Sequence, residues 1–221
     1  MIKSILKNIL RQKNLKVVNN FSIQADLRQL KNIYTINKLT KIVEDIDGDF
    51  VECGVGRGRT FLYLSFIAST DKKKRKIFGF DSFEGFPEPS KEDDGKRKPK
   101  KGEWSGTSTS DIISILREAR IESNFVHNDV NLVKGFFSDT LPGRNFGPIA
   151  FLHVDVDLYD SYNDVLDNLY KFVAVGGVVL FDEYDDENWP GAKKAVDAFI
   201  SKNNLELLKE ERTGKYFTIK K

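Results

Sequence analysis

The spacing of apolar residues changes several times along this chain, and each change predicts a new element. In residues 1–20, Ile2, Ile5, Leu6, Ile9 and Leu10 recur at helical spacing, which predicts an amphipathic helix. Lys3, Lys7 and Arg11 interrupt the unbroken apolar stretch that a signal peptide would need. Residues 23–45 read as a second helix, ending at the turn dipeptide Asp47-Gly48. From Asp49 the period shortens. DFVECG predicts a short strand, TFLYLSFIA a helix, and IFGFD a second strand ending at Asp81. Residues 84–106 have no period and carry Pro87, Pro89, Pro99 and the charge run KEDDGKRKPKK; so long a loop is expected to be mobile or functional. TSTSDIISILREAR then predicts a helix capped by Ser or Thr near Asp111. VNLVKG reads as a strand and FFSDTLPG as a turn or short helix.

IAFLHVDVD and VGGVVLFDEYDD are nearly continuous apolar runs with acidic ends, the pattern of central parallel strands. Each is followed by a helical pattern, SYNDVLDNLYKFV and PGAKKAVDAFISKN, the latter opened by Pro190. LELLKEER and KYFTIKK form a closing hairpin around Thr213-Gly214. Strands alternating with helices predict an α/β fold: a doubly wound, mostly parallel sheet with helices on both faces. The expected organisation is a helical extension over residues 1–47, a lid or a dimer contact, ahead of one domain over 48–221.

Composition narrows the function. The 221 residues carry 35 basic and 33 acidic side chains, a net charge of +2, too balanced to argue for nucleic acid. One cysteine excludes an intramolecular disulfide and a cysteine-built zinc site, and two histidines disfavour a histidine-rich one. No apolar run approaches the roughly 20 residues that span a bilayer. The expectation is a soluble, cytoplasmic protein. The run KKKRK at 72–76 reads as a solvated basic turn.

Three constellations carry candidate chemistry. The first is VECGVGRGRT, a strand running through Gly54, Gly56 and Gly58 into a helix. Such a turn lets a ligand approach the backbone and offers free N–H groups. A dinucleotide site wants G-x-G-x-x-G, whereas the spacing here is G-x-G-x-G with Glu52 two residues ahead. That acid opposes a pyrophosphate and suits an ammonium group, which favours a cationic amino-acid cofactor such as S-adenosylmethionine. The second is Asp81, placed at a strand end to accept ribose hydroxyls. The third is an acid cluster: Asp155 and Asp157 end one strand, and Asp182 and Glu183 end the next. Ligands of open parallel sheets bind at the carboxyl ends of strands. Carboxylates converging there need a cation or a proton, and oxygen-only ligands suit Mg²⁺, Ca²⁺ or Mn²⁺. His153 alternates with Asp155 and reads as a packed histidine that could also face the site. Cys53 reads as a small buried filler. Trp104 and Trp189 lie in loops able to wall a substrate pocket.

Together, VECGVGRGRT, FGFDSFEGFP, VKGFFSDTLP, HVDVDLYDS and GGVVLFDEYD followed by AVDAF resemble the macrocin O-methyltransferase family over roughly residues 48–200. These are metal-dependent sugar O-methyltransferases. The resemblance implies the class I methyltransferase (Rossmann-like) fold, seven-stranded with an antiparallel C-terminal hairpin strand, and S-adenosylmethionine as cofactor. It implies that Glu52, Gly54, Gly56, Arg57 and Thr60 cradle the methionine part, Asp81 holds the ribose, Ser82 and Phe83 lie against the nucleoside, and Phe137 and Ser138 meet the adenine. It carries a divalent metal, expected to be Mg²⁺, onto Asp155, Asp182 and Glu183, and the general base onto Asp155. The family's acid pair is usually Asp-Asp; here it is Asp182-Glu183, one methylene longer.

The expected reaction is in-line methyl transfer to a hydroxyl of a small molecule, a sugar or glycosylated metabolite, with Asp155 or Asp157 taking the proton. No nucleic-acid partner and no membrane span are expected; a homodimer is compatible with the N-terminal helices. The competing readings are a nicotinamide oxidoreductase, which the glycine spacing disfavours, a methyltransferase-like binding module without activity, and a phenol or catechol acceptor.

Overall fold

The computed structural model describes residues 26–221; the amphipathic helix expected within residues 1–20 lies outside them. The compact unit that carries the sheet runs from Lys31 to Lys221. Its strands are β1 (Asp49–Cys53), β2 (Ile77–Asp81), β3 (Val130–Lys134), β4 (Ile149–Val154), β5 (Val173–Phe181), β6 (Leu208–Lys209) and β7 (Tyr216–Ile219). They form one sheet in the order β3-β2-β1-β4-β5-β7-β6. β1 pairs in parallel with β2 and β4, and β4 with β5. β7 runs antiparallel to β5 and β6, as the hairpin pattern predicts. The order reverses between β1 and β4, so a crevice opens above their carboxyl ends.

Period-2 alternation sorts side chains onto two helix layers. Val51, Leu152, Val154, Val179 and Phe181 pack on one face against α6 (Tyr159–Leu169) and α7 (Pro190–Lys202), through Tyr162, Val165, Ala195 and Phe199. Phe50, Phe151, Val178 and Leu180 pack on the other, against α1 (Leu27–Ile42), α2 (Arg59–Thr70), α3 (Thr109–Glu118) and α4 (Ser123–Asn128). Both faces of β4 are buried throughout. A short α5 (Phe137–Thr140) follows β3 where a turn or short helix is expected. Ser108 caps α3, accepting from the Asp111 amide, as its sequence suggests. Helix α4 forms where the sequence pattern predicts no element.

The basic run 72–76 departs from a plain solvated turn. Arg75 is 2% exposed. Its guanidinium donates to the carbonyls of Val43, Glu44, Ile46 and Gly48 and pairs with Asp71 at 2.8 Å. The C-terminal turn of a helix leaves carbonyls unsatisfied, and a planar five-donor fork meets several of them at once. Arg75 thereby ties the end of α1 to the start of β1.

The long loop is also built. Its base closes through Gly102 N–H to Phe86 O and Phe86 N–H to Glu103 O. Asp93, 3% exposed, accepts from the Ser90 amide at 2.9 Å and from the Tyr159 amide at 2.8 Å, capping α6 from outside. The Arg97 guanidinium lies 4.3 Å from the Trp104 ring centroid and 4.5 Å from that of Trp189. Among the described residues, no helix is long and apolar enough to cross a membrane.

Candidate active site

The glycine turn is shaped by what lies beneath it. Gly54 has φ +90°, and a Cβ there would fall 1.7 Å from the Asp155 carbonyl oxygen. The turn after β1 is therefore pressed onto the chain leaving β4, and only glycine allows both the dihedral and the approach. Gly56, φ +52°, faces open space, and its amide donates to Asp81 Oδ2 at 2.8 Å. Gly58, φ +75°, starts α2, with Ile112 2.7 Å from where its Cβ would stand. Arg57 is exposed and Thr60 half-buried on the same turn.

Asp81 ends β2. Its carboxylate also accepts from the Phe83 amide at 2.6 Å, so it braces both the glycine turn and the start of the long loop. Phe83 is buried with φ +52°, a conformation that costs a bulky residue and concentrates at functional sites. Ser82 Oγ donates to Gly85 O at 2.7 Å. Beyond β3, Phe137 is half-buried and Ser138 exposed at the start of α5.

Glu52 sits deeper than the glycine turn and is 0% exposed. The β1–β4 register sets it opposite His153, and Oε1 meets His153 Nδ1 at 2.9 Å. His153 Nε2 lies 3.8 Å from Asp182 Oδ1. Glu52 Oε2 is buried and has no hydrogen-bond partner. Burial pushes the Glu52 carboxyl up to about 7, against the pull of His153. Burial alone would lower His153, but Asp182 and Glu52 outweigh it and lift the ring to about 10. Carboxylates facing both ring nitrogens favour the imidazolium.

The acids after β4 and β5 converge. Asp155, Asp157 and Glu183 each offer an oxygen, all within 4.8 Å of one another. Asp157 holds φ +62° and is 7% exposed. Glu183 Oε2 accepts from the Tyr162 hydroxyl at 2.7 Å, while Glu183 Oε1 is buried with no hydrogen-bond partner. Burial, then Asp157 and Asp155, push Glu183 well above the usual carboxylate range. Burial and Asp182 raise Asp155. Asp182 goes the other way. Burial would raise it, but Lys215 and then His153 hold it well below the usual range. Lys215 Nζ bonds Asp182 Oδ1 and donates to the Asp182 carbonyl at 2.8 Å. An all-oxygen set with an orphaned buried oxygen and charge to neutralise fits a hard divalent cation.

Of the expected metal residues, the structure brings Asp155 and Glu183 together with Asp157, and sets Asp182 beside Lys215 and His153. Tyr162 and Lys215 also belong to this cluster, and the sequence pattern does not single them out. Tyr162 carries no signal beyond a helical core position. Lys215 was within reach of register: Phe181 pairs with Tyr216, so one step further sets Asp182 against Lys215. Of the two tryptophans flanking this edge, Trp189 is buried and Trp104 is 59% exposed.

A seven-stranded sheet in the order β3-β2-β1-β4-β5-β7-β6, with β7 antiparallel and a glycine turn after β1, is the class I methyltransferase fold. The family profile described as Macrocin-O-methyltransferase (TylF) matches residues 23–217, and the chain belongs to this family of O-methyltransferases. It is 31% identical over 206 residues to demethyldecarbamoylnovobiocin O-methyltransferase of Streptomyces niveus, spanning 87% of this chain and 76% of that protein. It is 31% identical over 166 residues to an 8-demethyl-8-(2,3-dimethoxy-alpha-L-rhamnosyl)-tetracenomycin-C 4'-O-methyltransferase of Streptomyces olivaceus, spanning 72% and 60%. The solved O-methyltransferase NovP superposes with a TM-score of 0.73 at 30% identity, over 87% of this chain and 81% of that one.

Proposed function

We propose that this protein transfers the methyl group of S-adenosylmethionine to a sugar hydroxyl of a small glycosylated molecule, with a divalent cation, Mg²⁺ by its chemistry, at the strand-end acids. The observation that carries this reading is the crossing of Gly54 on Asp155. One backbone contact joins the cofactor turn to the acid cluster, so a molecule seated on the turn lies beside the carboxylates.

When bound, S-adenosylmethionine supplies an electrophilic methyl group, and the cation lowers the pKa of the acceptor hydroxyl. The glycine turn, with Arg57 and Thr60, receives the methionine part, and Asp81, Ser82 and Phe83 the ribose and nucleoside. Phe137 and Ser138 lie on the adenine side. Glu52, with its orphaned Oε2, suits the ammonium end. Asp155 and Glu183 would hold the cation, with Asp182 the family's third ligand. Asp155, its carboxyl raised by burial, or Asp157 takes the hydroxyl proton. In-line displacement there would methylate the acceptor oxygen and leave a neutral thioether. Loop 84–106, anchored by Asp93, walls the acceptor side and excludes water. Residues 1–47 act as a lid or as a contact in a homodimer; half-exposed Ile33, Tyr34 and Ile42 on α1 support a covered face.

The test is methyl transfer from labelled S-adenosylmethionine to a panel of glycosides and nucleotide sugars, with catechols alongside. The expected result is labelling of a sugar acceptor that Mg²⁺ stimulates and Asp155→Ala abolishes. Labelling of catechols alone would move the acceptor class, and an Asp155→Ala enzyme at wild-type rate would remove the metal mechanism.

A further inference from the structure

Glu183 differs from Asp155, Asp157 and Asp182 in length and in how it is held. It stands just past β5, and its extra methylene gives the carboxylate one more rotatable bond to fix. Ligand atoms on this edge fall into two overlapping groups: Glu52, His153 and Asp155 in one, and Asp155, Asp157 and Glu183 in the other. The Tyr162 hydroxyl reaches the second. Tyr162 lies near the start of α6 and is fully buried. Its hydroxyl oxygen is 2.7 Å from Glu183 Oε2, 3.2 Å from the Val154 carbonyl oxygen and 3.4 Å from the Glu183 amide nitrogen. A hydroxyl has one proton to give and two lone pairs. The shorter contact and the stronger acceptor take that proton, so Tyr162 donates to the carboxylate and accepts from the amide of the same residue. Glu183 is thus folded over one oxygen that touches both its backbone and its tip. The Asp157 amide, 3.4 Å away, is a second donor to Oε2. Oε1 is left buried and without a hydrogen-bond partner.

We propose that Tyr162 is a positioning residue for the cation: it ties down Glu183 Oε2, takes up the extra methylene, and leaves Oε1 as the oxygen that Glu183 presents to the metal. This rests on the metal-assisted reading above and keeps its ligands, Asp155, Asp182 and Glu183. Tyr162 acts through Glu183. The carboxylate is ordered before an ion arrives, so binding does not have to freeze it. Hydrogen bonds that orient metal-holding carboxylates are typically worth about ten- to a hundredfold in metal affinity.

The test is calorimetric titration with Mn²⁺, and separately with S-adenosylhomocysteine, of the wild type, Tyr162→Phe, Glu183→Asp and the double variant. Phenylalanine keeps the buried ring and removes only the hydroxyl. Mn²⁺ affinity is expected to be at least about tenfold weaker in Tyr162→Phe, with S-adenosylhomocysteine affinity within about threefold of the wild type. Adding Tyr162→Phe to Glu183→Asp, whose shorter arm needs no tether, is expected to cost less than about threefold. Wild-type Mn²⁺ affinity in Tyr162→Phe overturns the proposal. An equal loss in both backgrounds also overturns it, because the hydroxyl would then support the fold and not Glu183. Should a variant not fold, or Glu183→Asp bind no Mn²⁺, a crystal structure of the wild type with Mn²⁺ decides. Oε1 on the ion with Oε2 still on the Tyr162 hydroxyl supports the proposal, and Oε2 on the ion overturns it. Failure of the metal-assisted reading is separate: the wild type would bind no Mn²⁺, and this proposal would fall with it.

Discussion

Glu52 Oε1 lies 2.9 Å from His153 Nδ1, and both side chains are buried. A pair so buried is costly to break, because the surviving partner stays in a low-dielectric interior. His153→Ala is expected to lower unfolding free energy by about 3–5 kcal/mol. His153→Gln, which keeps a donor to Glu52, is expected to cost less. Urea denaturation of the two variants beside the wild type checks this; equal losses would mean that the bond to Glu52 contributes nothing.

The same pair sets a pH dependence. His153 is raised from 6.5 to about 10, so its contribution to stability is fully present below 6.5 and is lost as pH rises through 10. Glu52 is raised from 4.5 to about 7, so the folded state favours its neutral form, and that contribution is lost as pH rises from 4.5 through 7. Both act in one direction. The unfolding free energy attributable to the pair falls between about pH 5 and 10. A Glu52→Gln, His153→Gln double variant should show a flatter profile in urea melts across that range; an unchanged slope would assign the dependence elsewhere.

Gly54 and Gly56 separate packing from binding. At Gly54 a Cβ would stand 1.7 Å from Asp155 O, so Gly54→Ala must displace backbone and is expected to cost several kcal/mol, on the order of 3–5. At Gly56 nothing lies within 4 Å, so alanine there costs only the left-handed dihedral, about 1–2 kcal/mol. Its methyl group would instead occupy the open side of the cradle. Thermal melts should show the first variant far less stable than the second. Calorimetry should show the second folded yet weakened for S-adenosylhomocysteine by tenfold or more.

Asp93 holds the long loop to α6, and a Cβ on Gly191 would meet its Oδ1 at 2.1 Å, so the seat is closely fitted. Asp93→Ala removes the acceptor from the Tyr159 and Ser90 amides. Limited proteolysis is expected to cut within residues 84–106 several-fold faster than in the wild type, with the melting temperature falling by only a few degrees. Unchanged cleavage would mean that the aromatic seat around Arg97 suffices to hold the loop.

The parallel sheet, its reversal point and its acid edge were legible because apolar runs ending in glycines or acids announce buried strands feeding a ligand edge. Period alone could not show which polar residues turn inward. Arg75 sits in a run of five basic residues, and its burial follows from the carbonyls at the end of α1, which the local pattern does not reveal. Asp93 and Arg97 belong to a charge run in a loop that reads as mobile or functional, and each is drawn in by a partner distant in sequence: the Tyr159 amide for one, Trp189 for the other. Lys215 is silent in the local pattern because its meaning depends on hairpin register, whereas the glycine turn at Gly54, a weak signal alone, gains meaning from Glu52, Asp81 and the strand-end acids beside it.

The central claim is that the glycine turn above Asp155 binds S-adenosylmethionine. Calorimetric titration of the purified protein with S-adenosylhomocysteine, with and without Mg²⁺ and with NAD⁺ as control, tests it most directly. The account predicts one site of roughly micromolar affinity for S-adenosylhomocysteine and none for NAD⁺. Binding of NAD⁺ in its place, or of neither, would contradict it.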